Sequence, residues 1–144
     1  MYGNAQIPVL KPLMITCNRI LRSLQDKSRE YPVSLLYSNY NTLPVNLLFK
    51  FVILTLVHGC YHNQVFDYLP GVIRDMFILN RDVHSHNTRS SSQIHLFHNT
   101  SNCTGPYVLL GSVIWNNLTE SLKLCRSLSA FKKNLKVYLG QSDL

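Results

Sequence analysis

One run limits what this chain can fold into. From Leu47 through Val57 the residues are apolar almost all round a helical wheel, and such a helix is stable only when other elements cover most of its sides. The apolar stretch reaches Cys60 and is interrupted by Lys50, Thr55 and His58. A bilayer span needs about 20 predominantly apolar residues, so the run predicts a buried helix, the spine of a core. Thr42 is placed to cap its start, with Pro44 in the first turn, where a missing N–H costs nothing. Gly59 suits a left-handed terminating residue. On this reading Leu48→Asp buries an unpaired charge and unfolds the domain.

A chain of 144 residues is long enough to bury roughly two-thirds of its unfolded surface as one domain. Hydrophobic residues at 46% and aromatics at 10% supply the core and exclude a disordered chain. Around the spine the patterning is mainly α, a small helical domain with a long polar loop. Leu13, Cys17, Ile20, Leu21 and Leu24 recur at helical spacing and predict an amphipathic helix over 13–25, with Pro12 just before it. Short helices are predicted over 31–37, with Pro32 near its start, and over 72–77. Residues 80–106 form a loop-rich connector that includes Ser90-Ser91-Ser92, and 107–139 a C-terminal subregion. The pattern allows short strands at 93–97 and 107–114. No repeat, low-complexity segment or shift in composition divides the chain.

Lys and Arg number 14 against 7 acidic residues, a formal charge of +7, which favours polyanionic partners, nucleic acid first among them. The charge is most ordered in the last helix, from about Ser127 to Leu139. Leu128, Phe131, Leu135, Tyr138 and Leu139 share one stripe, and Arg126, Lys132, Lys133 and Lys136 gather on one shoulder beside it. Such a helix can dock on a core and meet phosphates; lysines late in a helix also complement its dipole. His84, His86 and Arg89 sit in a polar turn from which they can donate to phosphates or bases. The same turn can be held by the Asn87 and Thr88 side chains alone. Trp115 reads as a packing anchor, with base stacking as the rival role.

Other chemistries find little support. The acidic residues Asp26, Glu30, Asp67, Asp75, Asp82, Glu120 and Asp143 include no adjacent pair of the kind that holds two catalytic metal ions. His95, His98 and Cys103 fit zinc-ligand spacing only loosely. No cofactor, structural metal or small-molecule substrate is expected. The residues from Met1 show no basic region followed by an apolar stretch, so an intracellular chain, nuclear or cytoplasmic, is expected, with Cys17, Cys60, Cys103 and Cys125 reduced. The sequons at Asn99, Asn102 and Asn117 are then chance matches.

Several of these pieces, in this order, resemble the C-terminal region of non-LTR retrotransposon reverse transcriptases of the jockey-like, arthropod and tick type. His84-Ser85-His86-Asn87-Thr88-Arg89 is similar to that family's His-x-His-x-Thr-Arg turn. Trp115-Asn116-Asn117-Leu118 is similar to its Trp-Asn segment, although Thr119 stands where the family has proline. Ser127-Leu128 through Tyr138-Leu139 is similar to its closing helix. Upstream, Asn18 to Arg22 with Leu24-Gln25, Leu43-Pro44 to Phe49, and Leu69-Pro70 extend the likeness over nearly the whole chain. The resemblance implies a region following the polymerase thumb, without the catalytic palm and not itself an enzyme. It also implies upstream polymerase domains as partners in an intact element. An accessory hold on template RNA or target DNA through the residues named above would follow. The rival expectations are a non-catalytic structural or interaction module (or a degenerate remnant) with lysines scattered over its surface, and a secreted, disulfide-bonded glycoprotein.

Overall fold

The computed structural model describes residues 7–62, 77–85, 89–96 and 106–142. Among them are seven helices, α1 (Ile7–Leu24), α2 (Val33–Asn39), α3 (Val45–Tyr61), α4 (Asn80–Val83), α5 (Pro106–Asn116), α6 (Glu120–Lys123) and α7 (Leu128–Ser142). One isolated antiparallel bridge joins Leu79 to Ile94. The fold is mainly α, as the patterning predicts. Contacts divide the chain into two compact units, Met1–Lys50 with Tyr138–Leu144, and Phe51–Val137. Both boundaries fall inside helices, where composition marks nothing. Among the described residues no helix is long and apolar enough to cross a membrane.

In the first unit, α1 begins before Pro12 rather than after it and carries that proline inside. The bond Pro12 cannot make would go to the carbonyl of Pro8, an exposed first-turn residue that water can reach. At the other end, Asp26 has φ 50°, Lys27 N–H donates to Arg22 O at 2.9 Å, and Asp26 N–H to Ser23 O at 3.3 Å. This is a Schellman closure with Asp in the left-handed position usually given to glycine. The next helix, α2, ends the same way. Asn41 has φ 45°, Thr42 N–H donates to Tyr37 O and Asn41 N–H to Ser38 O, both at 2.9 Å. Thr42 thus closes α2 instead of capping α3, and Pro44 takes the cap position, its carbonyl accepting from Leu47 and Leu48 N–H. Side chains join α1 to α2. Gln25 Nε2 donates to Leu36 O at 2.8 Å, and the Tyr37 hydroxyl to Asn18 Oδ1 at 2.7 Å.

The second unit holds the deeper core. From α3 it takes Leu54, Val57 and His58, all fully buried. Leu48, expected in the core, is 42% exposed, so an aspartate there meets water and the predicted unfolding does not follow. The helix runs past Gly59, which has no positive φ among the described residues, and carries the Tyr61 ring to Trp115. The strand allowed at 107–114 is helix α5. Periodicity cannot assign a short apolar run, and here its length and Pro106 at the first helical position decide. Gly111 brings α5 close to α3: a Cβ there would lie 3.2 Å from Ile53 and 3.3 Å from Val57. Of the strand allowed at 93–97, the described residues form only the Ile94 bridge, flanked by Asn80 N–H to Gln93 O and His95 N–H to Ile78 O, and Phe97 lies outside the described residues. The helix expected over 72–77 lies, except for buried Phe77, outside the described residues.

Candidate nucleic-acid interface

Ser127 sets the start of α7. Its carbonyl accepts the first helical bond from Phe131 N–H at 2.8 Å, and its hydroxyl accepts from Ala130 N–H at 3.5 Å, a first-turn donor with no partner inside the helix. The apolar stripe is buried at Phe131, Leu135 and Leu139 and half-buried at Leu128 and Tyr138. On the neighbouring flank Lys132 and Lys133 are exposed and Lys136 is half-buried. Residues four and three apart are surface neighbours on a helix, so Lys136 stands one turn from each of the other two. The helix contains no acidic residue to neutralise them along its own length, and none of them lies in its last turn. Their charges therefore do not serve the helix dipole, whose effect fades within a turn of the end.

The other predicted residues are placed differently. Arg126 is exposed but precedes the helix, in the irregular segment before the cap, so it does not share the wheel with the lysines. His84 ends α4, its N–H donating to Asn80 O at 2.9 Å, and its exposed ring meets that of His95 edge-on at 5.3 Å. His95 is itself tied by Nδ1 to Asn80 Oδ1 at 3.0 Å. Arg89 is exposed in the following turn. His86, Asn87 and Thr88 lie outside the described residues, as do His98 and Cys103. Among the described residues no three His, Cys, Asp or Glu side chains come together as metal ligands would.

Two aromatic and amide side chains are structural. Trp115 is 1% exposed and lies between Tyr61, His58 and Phe131, with ring centroids 5.1, 6.1 and 5.9 Å away. It offers no face to a base. Asn116 Oδ1 accepts from Ile94 N–H and its Nδ2 donates to Ile94 O, both at 2.9 Å. The amide thereby satisfies both backbone groups of a residue buried to 1% exposure.

A group the sequence reading passed over anchors the segment before α7. His58, in the last turn of α3, and His62, just past its end, donate from Nε2 to the carbonyls of Cys125 at 2.6 Å and Lys123 at 2.8 Å. His58 also stacks on Phe131, with ring centroids 4.0 Å apart and planes 20° apart. Burial holds the His58 imidazole below its ordinary 6.5, the Cys125 carbonyl opposes that lowering, and His62 adds to it. Lys123 is itself buried, its ammonium donating to Asn116 O and Glu120 Oε1, both at 3.0 Å. Their only sequence signal is polar residues inside apolar runs.

No family model matches the chain, and no curated protein or solved structure is similar to it. The functional reading therefore rests on these residues and the sequence likeness.

Proposed function

We propose that this chain is the C-terminal region of a non-LTR retrotransposon reverse transcriptase, without a catalytic palm, and that it holds nucleic acid by its phosphates. The observation that carries the binding part is the arrangement of α7. One stripe of the helix is buried, and Lys132, Lys133 and Lys136 stand together beside it, away from the helix end they could otherwise serve. Arg126 adds a cation just before the helix, and His84 and Arg89 offer exposed donors in the polar turn. With Trp115 buried, α7 adds lysines and no tryptophan face for stacking, so the contact is electrostatic and indifferent to base sequence. The region is not an enzyme on this reading, since the sequence has no adjacent carboxylates to hold a metal pair. Titrating labelled single-stranded RNA at two salt concentrations tests it. Binding that weakens as salt rises supports the proposal; binding that is absent, or indifferent to salt, sinks it.

A second reading has its own observation. On α1, Val9, Leu13, Ile20 and Leu24 are each at least 47% exposed, and their spacing puts them on one stripe. Exposed apolar stripes of this kind mark protein contacts. An interaction module without a nucleic-acid role would use α1 and leave the α7 lysines idle.

A further inference from the structure

What holds the α7 flank in place is an imidazole with one side used. His58 is fully buried, and because a carbonyl can only accept, its bond to Cys125 O fixes the proton on Nε2. Its Nδ1 is then a buried acceptor with no hydrogen-bond partner among the described residues. Acid would add a proton at Nδ1, turning it into a donor and giving the ring a full charge.

Among the described residues, the surroundings offer that charge little. From the end of α3 and the residue after it, the neighbouring rings are His62, at 4.5 Å between centroids, and Tyr61 beyond it. From α5 comes the Trp115 indole, and between 108 and 116 that helix has no ionisable residue. From the segment before α7 come the Cys125 carbonyl and thiol, the latter directed to Ser127 O, and exposed Arg126. From α6, Lys123 is a second cation, and Glu120, the one acidic residue between 106 and 137, is already bonded to it. From α7 come the Phe131 face and, beside it, Lys132. A π face attracts a cation, but far less than burial repels it.

We propose that His58 is a proton-operated latch: while Nδ1 is bare it keeps the 123–131 segment on α3, and its protonation releases that segment together with the lysine flank. The regulatory part rests on the nucleic-acid reading above; the latch itself does not. The sign follows from the lowered folded value. Above 6.5 the imidazole is neutral in both the latched and the released state, and its full contribution is present. As pH falls below 6.5 the released state takes up a proton first, so the latch weakens progressively toward the lowered value.

The test is amide exchange of residues 123–136 in the full chain at about pH 7.5 and about pH 5, a span that crosses the ordinary histidine range. Protection is corrected for the intrinsic pH dependence of exchange and compared with that of His58→Gln, whose amide can still donate to Cys125 O but cannot titrate. The wild-type chain loses protection on acidification, because the released state takes up the proton first, and His58→Gln keeps its protection. Unchanged protection in the wild type, or an equal loss in both, overturns the latch. Should His58→Gln fail to fold, the His58 ring resonance in the wild type decides. Its titration must lie below the ordinary range and coincide with the loss of protection; a ring titrating normally while 123–136 stays protected overturns the proposal. For the regulatory part, the affinity of labelled single-stranded RNA is measured for both chains at both pH values. The wild-type to His58→Gln affinity ratio falls on acidification if the latch controls the flank, and a constant ratio overturns that control. If no RNA binds at either pH while exchange still follows His58, the nucleic-acid reading fails and the latch stands.

Discussion

The two units are held together in different ways. In the first, α1 and α2 meet through side-chain hydrogen bonds and close on Asp26 and Asn41 in left-handed conformations, while α1 leaves Val9, Leu13, Ile20 and Leu24 in water. In the second, Trp115, Phe131, Ile94, Leu54 and His58 are sealed from solvent, and specific polar bonds tie several of the described connecting segments. Asn116 ties the Ile94 backbone, His58 and His62 tie the turn before α7, and Lys123 ties the end of α5. One unit is built from local helix chemistry with apolar surface to spare. The other is built from contacts between residues far apart in sequence.

That contrast can be broken most easily at Phe131. Removing its ring empties the space between His58 and Trp115, and Phe131→Ala should cost about 3–5 kcal/mol in urea denaturation. Leu24→Ala, at a side chain 63% exposed, should fall within about 0.5 kcal/mol of wild type. Equal effects would erase the distinction. Asn116→Ala comes next. It leaves the N–H and C=O of buried Ile94 without partners, an expected loss of about 1–3 kcal/mol, with faster amide exchange at Ile94 as the local readout. The smallest effect sharpens the account of the first unit. Asp26→Gly relieves a left-handed non-glycine residue and removes an acid from the end of α1, and should raise stability by a few tenths to about 1 kcal/mol. A loss there would mean that Asp26 is not simply occupying a glycine position.

Much of this was readable from the chain wherever the information is local. The apolar run predicts α3, and the spacing of Phe131, Leu135 and Leu139 predicts which side of α7 is buried. Element ends were misread where a distant or competing contact decides them. Thr42 is a good helix cap by type, but its N–H goes to Tyr37 O. Gly59 looks like a stop, yet α3 continues to Tyr61, whose ring meets Trp115, and His62 just beyond it reaches Lys123, 61 residues on. Arg126 fits the wheel by number, but Ser127 starts the helix one residue after it. A lone tryptophan in an apolar run reads first as a core anchor, and the packing of His58, Tyr61 and Phe131 around Trp115 sets the stacking alternative aside. The lysine flank was legible because both its periodicity and its charge lie within a single helix.

The central claim is that α7 divides its labour, one side for the core and the adjoining flank for phosphates. The most direct measurement is the salt dependence of single-stranded RNA affinity for the wild type and for K132Q/K133Q/K136Q, with circular dichroism establishing that both are folded. Three lost phosphate contacts should make the slope of log affinity against log salt shallower by about 2, at roughly 0.7 per contact on a single strand. A folded triple variant with the wild-type affinity and slope would contradict the claim.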